Sequence, residues 1–427
     1  MNKVFKKYLK RHPQEDYSIL NADFQSDIIV VIPAYLEENF LIKTLQSLKN
    51  TLPVNKNIEI VVVINFGETD NKINKTQQRN LSKLTTSYAE KETDDTFYFS
   101  VINAYNLPGK YSGAGLARKI GMDYAVKRFA AQGKTDGVIV SLDADCQVAS
   151  NYFQAIDEFF YHKNYQGGAF YFEHHIDDSK DSIEVCDAIS QYELHLRYYI
   201  QVLRWSGFPF AFHTIGSCFA ITAERYVRAG GMPRKQAGED FYFLQKAIPM
   251  GQFGEIADTC VYPSARLSDR VPFGTGPSVR KLVDEQSEYF TYNLQAFIDL
   301  KELFELRKKF YQLDRSGFEE IVQEFSGRMR SYLINSDFFD VLSQVSANCS
   351  NESTFERRFW EVFNAFRVVK YLNYVHEHFL EKIAVFDAAL DLLEVIEPES
   401  DHDFQDINEL LEYFRQKEKS QSISYSV

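Results

Sequence analysis

The sequence has little positive charge. Its 47 lysine and arginine residues face 60 aspartate and glutamate residues, which gives a formal net charge of -13 and a pI near 5.3. Phosphate backbones favour a basic protein surface, so this balance argues against a nucleic-acid binder. The chain has 427 residues, of which 45% are hydrophobic. That length is sufficient for a large core and for more than one structural unit.

Paired cysteines are also missing. The five cysteines are scattered, odd in number and without a Cys-x-x-Cys spacing. The sequence therefore indicates neither a zinc cage nor a disulfide framework. This usage is typical of a reducing compartment and predicts a cytoplasmic protein.

No segment has the pattern of a signal peptide or of a membrane-spanning helix. Residues 1–14 are rich in lysine and arginine and lack an apolar stretch with a cleavage site. The longest apolar run, 208–223, contains Pro209 and His213 and is shorter than the roughly 20 residues that a spanning helix needs. The basic start could contact the inner face of an anionic membrane as a peripheral protein does, or it could be a solvated terminal helix.

Glycine and proline are nearly absent after about residue 277. Before that point, apolar strand-like runs alternate with helical patterns, which predicts an α/β domain whose mostly parallel central sheet is flanked by helices. After it, apolar and aromatic residues recur at helical spacing. We predict four parts: a basic N-terminal segment (1–26), an α/β domain (27–277), a helical C-terminal region (278–415) and a flexible tail (416–427).

Four strands are predicted in the α/β domain. Residues 28–32 form a continuous β-branched run, as expected of a strand buried on both faces, and residues 58–64 form a second buried strand. The third and fourth strands cover residues 97–102 and 137–142. Pro33 is expected to end the first strand because proline lacks the N–H group of the ladder.

Two aspartates follow the fourth predicted strand. The alternation of a strand would place the carboxylates of Asp143 and Asp145 on one side. Hard cations such as Mg²⁺ and Mn²⁺ take oxygen ligands and leave positions for substrate phosphates. Without a cation, two carboxylates at the end of a buried strand would repel each other. We therefore predict a divalent metal site, with a loop or helix-cap pair as the alternative.

Two further segments are candidates for nucleotide binding. The carboxyl end of the first strand, where open α/β sheets bind ligands, carries Pro33, Tyr35 and Glu37. A turn that starts the next helix is the alternative. Residues 110–119 are Gly-rich and basic, so the backbone near Gly113 and the side chain of Arg118 could contact a phosphate. The segment lacks the Lys-Ser ending of a P-loop, which disfavours a P-loop or Rossmann site.

An acidic pair, Glu239 and Asp240, precedes a further helix. The pair could cap that helix, because the helix dipole favours negative charge there. Alternatively, Asp240 could remove the proton of an attacking hydroxyl, with Glu239 orienting it or binding the acceptor. Farther on, Arg266 and Arg270 lie in a Gly-rich stretch that could be a phosphate-clamping loop or a plain surface turn.

These elements in this order resemble the family 2 glycosyltransferases of the GT-A fold, over roughly residues 27–270. In that family a strand ends in a Pro-x-Tyr-Asn-Glu-like turn beside the nucleotide. Here Pro33, Tyr35 and Glu37 match the turn, with Leu36 where asparagine is common. The resemblance implies that residues 27–277 are a GT-A catalytic domain.

The resemblance continues along the chain. The second strand of the family usually ends near an acid that recognises the base, and Asn65 stands near that place, with Asp70 after it. The segment from Gly113 to Arg118 is similar to a helix start that binds the nucleotide-sugar. Asp143 and Asp145 match the Asp-x-Asp motif that holds the metal, and Asp143 also lies on the donor side.

Asp240 falls on the position that the family uses as catalytic base. Many relatives carry a metal-binding histidine after it, but no histidine occurs between His213 and His376. His174, His175 and His213 are possible substitutes; otherwise the metal would rely on the aspartates, the diphosphate and water. The resemblance implies a metal-dependent, inverting hexosyltransferase that uses Mn²⁺ or Mg²⁺. It would move a sugar from a UDP-sugar to a glycan, lipid-linked or other hydroxyl acceptor in polysaccharide synthesis.

Two alternatives remain open. A nucleotidyltransferase also uses an α/β sheet and aspartates, although a Gly-rich basic signature is expected directly after its first strand and residues 33–38 contain neither glycine nor lysine. A non-catalytic binding protein on a transferase fold would use the helical C-terminal region as its interaction surface. The presence of Asp143, Asp145 and Asp240 argues against that alternative.

Overall fold

The computed structural model describes residues 2–13, 23–175, 182–235, 237–266, 274–400, 403–421 and 423–425. The chain forms two compact units. The first contains Met1–Cys186, Phe212–Lys281 and Gln416–Val427, and the second contains Asp187–Ala211 and Leu282–Arg415.

The α-helices of the described residues are α1 (Lys3–Arg11), α2 (Leu41–Lys49), α3 (Lys72–Glu92), α4 (Ala114–Gln132), α5 (Tyr152–Asp157), α6 (Ile183–Trp205), α7 (Ala223–Arg228), α8 (Glu239–Ala247), α9 (Thr275–Glu285), α10 (Leu294–Glu305), α11 (Arg315–Ile321), α12 (Gly327–Asn335), α13 (Phe338–Ala347), α14 (Glu352–Val362), α15 (Ala365–His378), α16 (Val385–Ile396) and α17 (Ile407–Ser420). The strands are β1 (Ile28–Ala34), β2 (Ile58–Gly67), β3 (Phe97–Leu107), β4 (Val138–Ser141), β5 (Gln147–Val148), β6 (Gly167–Phe172), β7 (Phe219–Thr222), β8 (Phe253–Tyr262), β9 (Phe290–Thr291), β10 (Ile383–Ala384) and β11 (Ser424–Tyr425).

The first unit is built around one sheet. Its strands lie in the order β11-β8-β6-β7-β4-β1-β2-β3, and β5 pairs with β8. β1 is parallel to β2 and β4, and β2 is parallel to β3. β7 is antiparallel to both β4 and β6. The prediction of a mixed α/β fold with helices against a mostly parallel central sheet is confirmed.

The core of this unit explains where the helices lie. Every residue of β1 and β2 is buried, as expected for continuous Val and Ile runs covered on both faces. α4 lies close to that sheet at Gly121, where an added Cβ would be 2.3 Å from a methyl carbon of Val31. This close approach places the first turns of α4, with Arg118, near the carboxyl ends of β1 and β4.

β1, β2 and β3 are longer than their sequence patterns predict, whereas β4 is shorter. Pro33 lies inside β1, opposite Val63 of β2, and does not end it. β4 ends opposite Val31, so Pro33 has a neighbouring strand on one side only, where a missing N–H group is tolerated. β2 and β3 continue pairing with each other past the end of β1, to Gly67 and Leu107.

The second unit is helical apart from the β9–β10 pair. Its core contains Phe359 and Phe363, both with 0% exposure, and Trp360 packs edge-on against Phe304. The prediction of a helical C-terminal region is confirmed. The unit also includes residues 187–211, most of α6, which the sequence pattern assigned to the α/β domain.

The residues predicted as a flexible tail include ordered structure. Ser424 and Tyr425 form β11, which is antiparallel to β8 at the edge of the sheet. In the last turns of α17, Glu418 is buried and lies 3.2 Å from the imidazole of His213. The end of the chain therefore completes the first unit.

The basic N-terminal residues form α1, whose apolar residues Phe5 and Tyr8 are buried. Its lysines are exposed. None of the described helices is long and apolar enough to cross a membrane.

Candidate active site

The two aspartates after β4 do not share a strand face. β4 ends at Ser141, and Asp143 and Asp145 lie in the following turn, which is closed by a hydrogen bond from the Cys146 N–H to the Asp143 carbonyl oxygen at 3.2 Å. The alternation argument therefore does not apply to them. Their carboxylates contact different cations, Asp143 that of Arg118 and Asp145 that of Arg266.

Arg118 joins Asp143 to the acidic pair. One of its guanidinium nitrogens lies 2.5 Å from Asp143 Oδ1, and another pairs with Glu239 Oε1. The arginine and Glu239 side chains are 4% and 5% exposed, whereas that of Asp143 is 39% exposed. Burial by itself would lower the pKa of Arg118, but the carboxylates of Asp143, Glu239 and Asp240 outweigh it and raise that pKa. The arginine therefore stays charged.

Asp240 lies in the first turn of α8 beside this arginine. Its Oδ1 accepts a hydrogen bond from the Phe241 N–H at 2.7 Å. Burial, together with the negative charge of Glu239, raises the pKa of Asp240 from 3.8 to about 6, although Arg118 opposes the shift. A carboxylate with a pKa near the working pH suits a general base.

Gly216 lies against Arg118 and Asp240, and its lack of a side chain leaves space for both. An added Cβ there would lie 2.9 Å from Arg118 Nη2 and 3.0 Å from Asp240 Oδ2. The carbonyl oxygen of Gly216 accepts a hydrogen bond from Ser141 Oγ at 2.5 Å, which ties this loop to the end of β4. A single glycine in a loop gives no local signal in the sequence of the side chains that it faces.

Arg266 holds a second cluster. Its Nη2 lies 2.7 Å from Asp145 Oδ2 and 2.7 and 2.8 Å from the two carboxylate oxygens of Glu37. Its guanidinium also lies 4.1 Å from the ring centroid of Phe40. Arg266 thus forms an ion pair with Asp145, one of the two predicted metal ligands. Arg270, predicted with it, lies outside the described residues.

The turn after β1 is held by a residue that sequence reasoning missed. Gln78, on α3, donates hydrogen bonds to the carbonyl oxygens of Ala34 (3.0 Å) and Asn65 (2.7 Å) and accepts one from the Leu36 N–H at 2.9 Å. It is fully buried and so links the ends of β1 and β2. Its signal in the sequence is weak, since α3 is polar over most of its length.

The remaining residues that were predicted to bind the nucleotide-sugar lie around the same edge of the sheet. Tyr35 Oη accepts a hydrogen bond from Asn74 at 3.0 Å, and Asp70 accepts one from the Gly67 N–H at 3.0 Å. Asn65 is 2% exposed, so its side chain is part of the core. Gly113, with φ of 153°, directly precedes α4.

The described residues supply only part of the ligands that a metal ion needs. Across the described residues, no group of three or more His, Cys, Asp or Glu side chains is placed to hold an ion. Of the possible substitutes, His213 lies beside Glu418, and His174 is buried with its ring edge-on to Phe172. Carboxylates are suitable ligands for Mg²⁺ or Mn²⁺, and such ions commonly complete their shell with substrate phosphate and water. Asp143 and Asp145 therefore fit a metal that arrives with the donor.

Residues 29–214 match the model of glycosyl transferase family 2. A comparison with curated protein sequences gives no match. Glu239, Asp240 and Arg266 lie beyond the matched residues.

Solved structures similar to this chain include three glycosyltransferase complexes. The first is S. aureus TarS 1-349 with UDP-GlcNAc (10% identity, TM-score 0.40, covering 79% of this chain and 91% of that one). The second is GalNAc-T7 with UDP, GalNAc and Mn²⁺ (14%, 0.38, 87% and 67%). The third is the mannosyltransferase PcManGT from Pyrobaculum calidifontis with GDP-Man and Mn²⁺ (12%, 0.31, 93% and 94%). Since these TM-scores lie below 0.5, the proposal of a function rests on the match of residues 29–214 to the family model and not on these structures.

Proposed function

We propose, from the match of residues 29–214 to the model of glycosyl transferase family 2, that this chain moves a sugar from a nucleoside-diphosphate donor to a hydroxyl acceptor with inversion, and that Asp240 is the base. It is a glycosyltransferase. The observation that supports the finer proposal is the cluster in which Arg118 joins Asp143 to Glu239, with Asp240 in the same buried surroundings. One guanidinium connects the donor side to the acceptor side.

The proposed step balances as a single displacement. Asp240 removes the proton of an acceptor hydroxyl, and that oxygen forms a bond to the anomeric carbon as the bond to the diphosphate breaks. The nucleoside diphosphate leaves with the electron pair. Glu239 and Arg118 keep Asp240 in place, and Arg118 offsets part of the negative charge of the three carboxylates around it.

The donor would lie along the carboxyl ends of β1, β2 and β4. Tyr35, Glu37 and Asp70 surround the nucleotide in this proposal, and the N-terminus of α4 after Gly113 meets the phosphates. We propose UDP as the carrier, from the family resemblance alone. Asn65, being buried, would support the base from beneath and not contact it directly.

Asp143 and Asp145 would hold a divalent cation, Mn²⁺ or Mg²⁺, which when bound would neutralise charge on the departing diphosphate. Arg266 would then leave Asp145 for the donor phosphates. Arg270 joins it in this proposal. We also propose that the enzyme acts in the cytoplasm, in glycan or polysaccharide synthesis.

Purified protein tested on a panel of nucleotide-sugars, with Mn²⁺, Mg²⁺ or EDTA, checks this function. We expect hydrolysis or transfer with one donor class, and its loss in EDTA. Asp145→Ala should lose metal-dependent donor binding in a calorimetric titration, whereas Asp240→Ala should bind donor and lose transfer. If no donor binds or reacts, the proposal is wrong; if Asp240→Ala transfers normally, only the base assignment fails.

A further inference from the structure

A set of unpaired cations lies on the first unit, on a protein whose net charge is -13. We call it the basic surface, and it consists of Lys3, Lys6, Lys7, Lys10, Arg11, Arg234 and Lys235. All but Lys235, which is half-buried, are exposed. In the part of the chain that the structure describes, none of them has an ion-pair partner. Cations left unpaired on an acidic protein attract anions to that place.

Buried contacts fix α1 to the segment before α8, which carries Arg234 and Lys235. Tyr8 Oη donates to Asp123 at 2.6 Å, and Tyr226 donates to the same carboxylate at 2.9 Å. Tyr226 Oη also accepts a hydrogen bond from the Met232 N–H at 3.0 Å. An added Cβ on Gly231 would lie 1.9 Å from Tyr8 Oη. Tyr8 therefore packs directly on the backbone that leads to Arg234 and Lys235.

The electrostatics at the end of α1 agree with this arrangement. Burial lowers the pKa of His12, and the positive charges of Lys119, Arg234 and Arg11 lower it further, against the opposing effect of Asp123. Arg234 is thus close enough to α1 for its charge to act on His12.

Lys235 brings the basic surface to the proposed base. Its Nζ lies 3.3 Å from the ring centroid of Tyr242, which follows Asp240 by two residues on α8 and is 38% exposed. Its carbonyl oxygen would be 2.4 Å from a Cβ added to Gly115, so the backbone is packed against the start of α4. An ammonium group and an accessible aromatic ring therefore flank the turn that carries Asp240.

We infer that the acceptor is an anionic glycan, a sugar chain with carboxylate or phosphate groups, which binds across the basic surface with Tyr242 against a sugar ring. This inference rests on the proposed function, because it assigns the acceptor of that site. The net negative charge of the enzyme would repel such a chain, whereas the basic surface would attract it and steer it to Asp240. An anionic membrane is the less favoured occupant. Phe5 and Tyr8, the buried residues of α1, cannot insert into it.

Binding of labelled dextran oligosaccharides tests the inference. The probes are the neutral oligosaccharide, its carboxymethylated form and its phosphorylated form. Their binding is measured by fluorescence anisotropy at low and high salt, and phosphatidylglycerol vesicles test the membrane as the alternative occupant. We expect the charged probes to bind about tenfold tighter than the neutral one at low salt, and the difference to shrink at high salt. The two charged probes distinguish carboxylate from phosphate.

The variants compare matched lysines. Lys235→Glu combined with Arg234→Glu should weaken binding of the charged probes about tenfold, whereas Lys246→Glu, at an exposed lysine of α8 outside the basic surface, should change it little. Tyr242→Ala should weaken binding of all three probes and Tyr242→Phe should not, which separates ring contact from misfolding. Equal binding of neutral and charged probes, or binding to vesicles alone, would overturn the inference. The donor titration is independent, so loss of donor binding with probe binding intact would refute the proposed function instead.

Discussion

At the residue scale, the arrangement of charged side chains determines the chemistry that is available to this site. Arg118 is buried and contacts Asp143 and Glu239, and Asp240 shares the same surroundings. Arg118 is the cation of this cluster, and removing it would leave the buried carboxylate of Glu239 uncompensated, which typically costs several kcal/mol. Asp240 retains a raised pKa because burial and Glu239 outweigh the arginine.

Asp240→Asn should lose activity and gain stability. General-base loss should lower the transfer rate by about 10²–10⁴-fold. The pKa of Asp240 rises from 3.8 in its ordinary state to about 6 on folding, so the folded state prefers the protonated form. The charged carboxylate therefore destabilises the folded state. This destabilisation is absent below the ordinary pKa of 3.8 and complete above about pH 6, where it amounts to on the order of 1–3 kcal/mol.

Thermal denaturation across pH measures that stability change. Asp240→Asn should raise the melting temperature above about pH 7 and not near pH 3, with the exposed Asp95→Asn as control. Transfer by the unaltered enzyme should rise with pH through about 6, since the base must be deprotonated. A flat pH profile would contradict the assignment.

Arg266 should compete with metal for Asp145, since its Nη2 lies 2.7 Å from that carboxylate. Arg266→Ala should therefore raise the Mn²⁺ affinity of the donor-free protein by roughly 3–10-fold, because two carboxylates lose their cation. Arg266→Lys, which keeps the charge, is the matched control. Electron paramagnetic resonance of free Mn²⁺ gives the affinity without any turnover, and an unchanged affinity for Arg266→Ala would exclude competition.

At the scale of elements, turns after the parallel strands carry the site, and their backbone is specialised. Leu36, in the turn after β1, has a φ of 56°, a region in which a Cβ is unfavourable and asparagine is better tolerated. Gln78 holds this turn by accepting the Leu36 N–H. This backbone strain therefore lies in a turn beside the proposed donor site.

Leu36→Asn should stabilise the protein by about 0.5–1 kcal/mol, because asparagine adopts this backbone conformation at lower cost. Urea unfolding would show a higher midpoint at an unchanged slope. Leu52→Asn, at an exposed leucine outside the positive-φ region, is the control and should not be stabilised. A lower midpoint for Leu36→Asn would indicate that packing of the leucine outweighs backbone strain.

For the whole molecule, the last residues of the chain complete the first unit. β11 covers one edge of β8, and Glu418 lies beside the buried His213. An uncovered strand edge pairs readily with other chains. The C-terminal segment therefore protects the sheet that carries the active site.

A chain ending at Arg415 should melt several degrees lower and aggregate as its concentration rises, because β8 loses its neighbour and His213 loses Glu418. Calorimetry and light scattering measure the two effects. Gln421→Ala in the full chain, at an exposed residue of the same segment, is the control and should leave both unchanged. Unaltered melting of the shorter chain would show that β11 contributes nothing to the sheet.

Much of the fold followed from local sequence. The buried strands were predicted within a few residues, since continuous Val and Ile runs record burial directly, and the errors fall at strand ends, where neighbouring strands decide the length. The site was only partly predictable. The acidic residues and Arg118 stand in recognisable patterns, but Gln78 and Gly216 act through partners distant in the chain.

The sequence by itself therefore determined the α/β class, the helical C-terminal region and the order of the candidate residues, because periodicity and chain order are local properties. Only the tertiary structure decided which charges meet. Arg118 contacts carboxylates at Asp143 and Glu239, and Arg266 contacts Asp145 and Glu37, pairs separated by up to 229 positions. No local pattern encodes such pairs, since folding of the whole sheet brings the ends of its strands together.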